Sequence, residues 1–411
     1  MDNIYLDNSA TTRPSVKSIA ACVSAMEVDY GNPSSLHSLG SEAAKLLNQA
    51  RNEIFCALLG EQIRPLLPRS HSLIPKTAQR YGKLIFTSSG TEADNLAVMG
   101  SMYRYAFAPN KGKIITTDSE HPAVKEPIER LGSEGFTVVK LRTKSGMLDI
   151  EQLKNELTPD VRLVSIMMAN NETGAVYDIK TAFALAHAVS DEIICHTDAI
   201  QAFQKTGFNA LELGADMISI SGHKVHAPKG IGALWINEKT VKKNRLSAYT
   251  LGGGQEDGLR SGSENIPGIA AFAAAISENG GARAGDAFES KARILREALI
   301  NALPEGVRVN SPAGSFLPHI ISLTLPIPRS QPMLNFLSSR GIYISSGSAC
   351  SSHKNTVSES LIAFGLTATE AESTVRVSLD SGNTLEEITV FCNTLGEGIQ
   401  SLYGKRKKAH P

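Results

Sequence analysis

The chain has 411 residues, of which 42% are hydrophobic, and 41 Lys and Arg balance 41 Asp and Glu. That length suits a large domain plus a smaller one, and the zero formal charge argues against nucleic acid or anionic membrane as a bulk electrostatic partner. The cysteines Cys22, Cys56, Cys195, Cys350 and Cys392 are odd in number, far apart and without a CxxC pair, which speaks against a disulfide framework or a structural zinc site and for reduced thiols.

The first residues, MDNIYLDNSATT, lack the basic-then-apolar pattern of a secretory signal. No stretch reaches the roughly 18 to 20 apolar residues of a membrane span, so a cytoplasmic protein is expected. Residues 42–59 read as an amphipathic helix. The segment EQIRPLLPRSHSLIPKTAQRYG after Gly60 has three prolines and no clear period, and reads as an exposed insertion over about 61–82. Short apolar runs then alternate with helical patterns. Strands are predicted at 83–87, 113–117, 163–168, 193–196, 217–221 and 232–236, with a helix at 181–190 among them. Such alternation predicts an α/β fold, a mostly parallel sheet with helices on both faces, whose ligands sit at the C-terminal strand ends. Beyond residue 265 the pattern changes to helices at 270–275 and 289–303 and strands at 320–325 and 375–379, the last an edge or half-buried strand. We therefore expect a large domain over 15–264 and a smaller α+β domain formed by 1–14 and 265–411. The basic tail GKRKKAHP reads as a frayed, solvated end.

Three polar clusters directly follow predicted strands. In TSSGTEADN a strand ends and a helix begins, so Gly90 and Thr91 could hold a phosphate on free N–H groups; alternatively Thr91 or Ser89 simply caps a helix. In HTDAIQ, Asp198 could pair with a protonated ring nitrogen and Gln201, one turn on, could reach a phenolic oxygen; Asp198 could also be an ordinary cap. In SGHK, Lys224 could form a Schiff base, with Ser221 and His223 donating to a phosphate. Lys229 competes, but Lys224 lies nearer the strand end.

A phosphate turn, then an Asp, then a Lys on successive strands is the order used by fold-type I pyridoxal 5′-phosphate (PLP) enzymes. The chain resembles the cysteine desulfurase family within the class V aminotransferases. The resemblance runs through YLDNSATT, YGNPSSLH, TSSGTEADN, SEHPAV, ANNETGAV, HTDAIQ, SGHKVHAPKGIGAL, GGGQEDGLRSGSEN, SSGSACSS and VRVSL, and leaves out only the segment after Gly60. It implies that Lys224 carries PLP, that Asp198 pairs with the pyridinium and Gln201 with the phenolic oxygen, and that Gly90, Thr91, Ser221 and His223 hold the phosphate. It further implies that Ser263, where the family usually has Thr, adds a phosphate contact from the other subunit of a homodimer. His121 would stack on the pyridine ring and help move protons, Asn171 would lie over the ring edge near the substrate, and Arg376 would clamp the substrate carboxylate.

Cys350 separates a desulfurase from its relatives. It sits among small polar residues in SSGSACSSHKN, which reads as a mobile exposed loop, with His353 and Lys354 near enough to favour the thiolate; the other four cysteines sit in helical or strand patterns. The implied reaction takes sulfur from L-cysteine onto Cys350 as a persulfide, releases L-alanine and passes the sulfur to an acceptor protein. Iron–sulfur cluster assembly, tRNA thiolation and cofactor thiolation are all open destinations. A selenocysteine lyase or another class V aminotransferase would leave Cys350 without a role. A non-catalytic scaffold would leave Lys224, Asp198 and Arg376 without one. No metal site is expected.

Overall fold

The computed structural model describes residues 3–67, 80–347 and 357–403. The chain begins with a two-residue strand β1 (Ile4–Tyr5), followed by helices α1 (Val16–Glu27) and α2 (Ser38–Leu59). Strands β2 (Lys83–Thr87), β3 (Lys113–Thr117), β4 (Thr137–Leu141), β5 (Val161–Ser165), β6 (Ile194–Asp198), β7 (Met217–Ser221) and β8 (Gly232–Ile236) follow. They form one sheet in the order β2-β8-β7-β6-β5-β3-β4. Only β8 runs antiparallel to its neighbours β2 and β7. Every residue of β6, β7 and β8 is buried, which is why these strands read as unbroken apolar runs rather than as alternations. The sequence missed β4, whose partly exposed TVVKL lies at the sheet edge and carries a weak apolar signal.

Helices α3 (Gly90–Met102), α4 (Pro122–Ser133) and α5 (Ile179–Val189) cross between strands. Among the described residues no helix is long and apolar enough to cross a membrane. Helix α2 begins before the expected residue 42, at Ser38, because the His37 ring accepts from Gly40 N, and it ends at Gly60 with φ 94°. Its core does not stop there. Ile63 and Leu67, within the expected exposed insertion, are 1% and 7% exposed and join the larger hydrophobic core. The expected excursion is thus corrected at its first turn, which folds under α2; residues 68–79 lie outside the described residues. Ile63→Ala should lower stability by roughly 2–5 kcal/mol, read as a fall in Tm; an unchanged Tm would show that this turn does not pack.

Helix α6 (Ile266–Asn279) also joins the larger core, through Ile266, Ile269, Phe272 and Ile276. Its IPGIAAFAAAI sequence is apolar nearly all round and packs against both α1 and α2. The chain therefore returns to the larger core beyond the expected boundary at 264/265. The smaller core begins in helix α7 (Ala284–Asn301), whose Leu295 and Leu299 meet Ile4, Leu6, Ile321, Leu323, Val375, Val377 and Phe391. Its strands are β9 (Arg308–Val309), β10 (Ile320–Thr324), β11 (Ile342–Tyr343) and β12 (Thr374–Ser378), ordered β12-β10-β9, with β11 paired in parallel to β1. The expected half-buried strand at 375–379 is in fact wholly buried. Although β12 is outermost in its sheet, the N-terminal residues and Ser345 cover it through bridges Asp7–Ser378 and Ser345–Arg376.

Candidate active site

The C-terminal ends of the central strands open onto a cavity of about 250 Å³. All but two of the site residues expected from the sequence line it: Gly90, Thr91, His121, Asn171, Asp198, Gln201, Ser221, His223, Lys224 and Arg376. Ser263 is exposed and stands outside the cavity of its own chain. Cys350, with His353 and Lys354, lies outside the described residues.

At one wall β2 gives way to α3. Ser89, not Thr91, is the cap: its hydroxyl accepts from Glu92 N at 3.1 Å. Glu92 is itself tied to Arg260 at 2.8 Å, which anchors the loop leading to Ser263. Gly90 is required by close packing, since a Cβ there would stand 2.2 Å from Ile200 Cδ1. Free N–H groups of the first turn and the helix dipole make this wall attractive to an anion. Ser221, 2% exposed at the end of β7, has a hydroxyl with no hydrogen-bond partner among the described residues. Burying such a group unpaired is costly, and a phosphate in this cradle would satisfy it.

The opposite requirement, a charge that meets a cationic ring nitrogen, falls on Asp198 at the end of β6. It is 6% exposed, and one oxygen accepts from Ile200 N at 2.8 Å. Burial pushes its carboxyl up to about 6, against the Ile200 hydrogen bond and the nearby Lys224 charge. Asp94, wholly buried below, is raised by burial and by Asp198. Its neighbour His196 is pushed down to about 3 by burial, and bonds Ser165 and Ser219.

Lys224 Nζ donates to the backbone oxygens of Ser9 (2.5 Å) and Ala10 (2.8 Å). Lys229, the competing lysine, is exposed and does not line the cavity. His121 caps α4: its Nδ1 accepts from Ala123 N at 3.1 Å, so the neutral ring carries its proton on Nε2. Burial, and next the Lys224 charge, lower His121 to about 4, which keeps the ring neutral near pH 7. Burial likewise lowers His223 to about 3, helped by Lys224. The Gln201 amide donates to Ser9 O at 3.0 Å.

Arg376 is 2% exposed rather than a surface cation. It donates through Nη1 to Asn171 O (2.8 Å) and through Nη2 to Asp7 Oδ1 (2.9 Å), and its buried Nε has no partner among the described residues. Ser345 donates to the same Asp7 oxygen at 2.7 Å. Asp7, Ser9 and Ala10 are the functional residues that sequence reasoning missed. The YLDNSATT motif signalled them, but only as a stretch of the small domain; the structure lays residues 7–12 across the cavity, with Ser9 N on Ser378 Oγ and Thr12 N on His223 O.

A phosphate cradle, a buried carboxylate, a backbone-held lysine and a buried arginine converge on one cavity, and these groups fit a phosphate-bearing pyridine cofactor. Comparison with known proteins agrees with that geometry. The family model for class-V aminotransferases matches residues 76–391. The chain is 35% identical over 407 residues to a cysteine desulfurase of Nostoc sp., covering 98% of this chain and 94% of that protein. It is also 35% identical to the cysteine desulfurase NifS of Azotobacter vinelandii, over 94% and 90% of the two chains. Among solved structures, a NifS-like protein superposes with a TM-score of 0.83 at 31% identity, covering 97% of this chain and 100% of that one. SspA in complex with cysteine superposes at 0.76 and 30%, over 93% and 100%. With the fold, the cavity and these relatives in agreement, the chain belongs to the cysteine desulfurase family of the class-V aminotransferases.

Proposed function

We propose that the chain desulfurates L-cysteine with PLP carried on Lys224, and that Cys350 receives the sulfur. The observation that carries this reading is the convergence of Lys224, Asp198 and Arg376 on one cavity beside the Gly90 phosphate turn. Gly90, Thr91, Ser221 and His223 would hold the phosphate, Gln201 the phenolic oxygen, and Asn171 the ring edge. Ser263, exposed and tethered through Arg260 to α3, would reach the phosphate of a second copy in a homodimer.

When bound, PLP supplies the electron sink that lets bonds at Cα and Cβ of the amino acid break. The protein's share follows from its geometry. Arg376, steadied by Asp7 and Asn171 O, lines the cavity and would pair with the substrate carboxylate. Lys224 Nζ removes the Cα proton and can return it, working between the Ser9 and Ala10 oxygens. His121 faces the cavity with Nε2–H and can move a proton on the opposite side. The Cys350 thiolate attacks the substrate sulfur. An S–S bond forms, and the Cβ–S bond breaks with its electron pair going to the carbon skeleton. Cβ gains a proton, so each L-cysteine yields one L-alanine and one Cys350 persulfide. An acceptor protein of iron–sulfur assembly or of tRNA or cofactor thiolation then takes the sulfur, in the cytoplasm.

The test is incubation of the PLP-loaded protein with L-cysteine and a reductant. Alanine and sulfide should appear in equal amounts without any keto-acid acceptor; alanine formed only when pyruvate is added, and without sulfide, would replace this reading with aminotransfer. A pH effect accompanies it. Asp198 pairs with a pyridinium only as a carboxylate, and burial raises its folded-state value to about 6. PLP affinity should therefore hold above pH 6 and weaken as pH falls below it, read by equilibrium binding at fixed ionic strength. In Asp198→Asn that loss of affinity on acidification should shrink to what the titration of the cofactor's own phosphate leaves.

A further inference from the structure

Lys224 and Arg376 belong to different cores. Lys224 precedes Val225 and Ala227 of the larger core, and Arg376 stands between Val375 and Val377 of the smaller one. The chemistry needs the two at a fixed span, so a tie between the cores beside them bears on the reaction.

Asp380 provides such a tie. It follows Leu379 of the smaller core, just beyond β12. Its Oδ1 meets two groups from the other side of the boundary, His226 Nε2 at 3.1 Å and Lys205 Nζ at 3.6 Å. His226 lies two residues after Lys224 and holds left-handed backbone, φ 68°, without being glycine, a strain that tends to gather at functional sites. Its backbone N donates to Thr12 Oγ1 at 2.7 Å, and its backbone oxygen accepts from Ser15 N at 2.9 Å. Its ring faces an acceptor on each side, Arg13 O at 3.0 Å and Asp380 Oδ1, and satisfies both only with a proton on each nitrogen.

Lys205 is 5% exposed, and its ammonium stands 4.1 Å from the centroid of the Phe288 ring on α7. Burial works against its charge, and Asp380 only partly offsets that. Burial opposes the Asp380 charge as well, but the His226 hydrogen bond and the nearby Lys205 hold its carboxyl well below the usual carboxylate range. What sets this ion cluster apart from an ordinary structural pair is what it connects. From Asp380 the chain runs back four residues along a wholly buried strand to Arg376, and from His226 it runs back two to Lys224.

We infer that Asp380 is a positioning residue: through His226 and Lys205 it fixes the span between Lys224 and Arg376, and so the place of the substrate carboxylate relative to the lysine. This role presupposes the tasks proposed above for Lys224 and Arg376.

The experiment compares Asp380→Asn with the double variant Asp380→Asn, Lys205→Met. The single change keeps the shape but strands the buried Lys205 charge, so Tm of the cofactor-free protein should fall. The double change replaces that cation with an apolar side chain of similar length and should recover Tm. In both, KM for L-cysteine should rise at least about tenfold, and affinity for L-alanine, read from the cofactor absorbance, should fall by the same factor. PLP affinity should stay within about twofold, because Asp380 does not line the first cavity. A KM that returns to the wild-type value together with Tm overturns the inference and leaves a merely structural pair. An unchanged KM in Asp380→Asn also overturns it, as does a parallel loss of PLP affinity, which would place the effect in the Lys224 loop itself. L-alanine affinity is measured whether or not cysteine is desulfurated. A wild type that binds L-alanine without releasing sulfide therefore sinks the proposed function while the span is still tested, and one that binds no L-alanine overturns both.

Discussion

Lys224→Ala should lower cysteine turnover roughly a thousandfold, the scale expected when a positioned general base and its covalent attachment are removed together. The reason is local. The ammonium lies between Ser9 O and Ala10 O, on the same cavity as Asp198 and Arg376, and among the described residues no other lysine lines that cavity. Lys229, five residues on and exposed, is the internal control: Lys229→Ala should leave turnover within about twofold, as for a surface substitution away from the site. The two variants are compared by alanine release and by the yellow absorbance of the lysine-bound cofactor. Retention of both signals in Lys224→Ala, with their loss in Lys229→Ala, would move the cofactor to the competing lysine.

Cys350→Ala should keep that absorbance yet lose sulfide and alanine by at least about a hundredfold. The variant would still bind cofactor and substrate but would have no thiolate to take the sulfur. The other cysteines make poor substitutes. Cys56, Cys195 and Cys392 are buried; burial pushes the Cys56 and Cys392 thiols up to about 11 and raises Cys195 well above its ordinary value, so none offers a thiolate near neutral pH. Cys22, on α1, is half-buried and does not line the cavity, and Cys22→Ser should leave turnover unchanged. Normal sulfide release from Cys350→Ala would remove Cys350 as acceptor and favour a lyase.

The sequence by itself determined most of the large sheet, because strands buried on both faces must be written as continuous apolar runs. KLIFT, KIITT, MISIS and GALWI coincide with β2, β3, β7 and β8 to the residue. It also marked most of the residues that line the cavity, since a parallel sheet sends the residues after its strands to one edge; Gly90, Asp198 and Lys224 stood out together through that rule. His121, Asn171 and Arg376 were legible only through the family resemblance, because a histidine after a loop or an arginine on a strand has no local signature of its task.

What only the tertiary structure decided was long-range. Residue spacing along the chain cannot show that Asp7 would orient Arg376, 369 positions away, or that the carbonyls of Ser9 and Ala10 would hold Lys224, because these are backbone and ion-pair contacts between distant segments. The burial of Ile63 and Leu67 was hidden by the prolines and charges around them, and the burial of β12 by its alternating pattern. The place of α6 depended on helices packing against it from two sides. Local patterns report the period of an element and the chemistry of its own residues; which face is covered, and by what, is settled by packing between segments far apart in the chain.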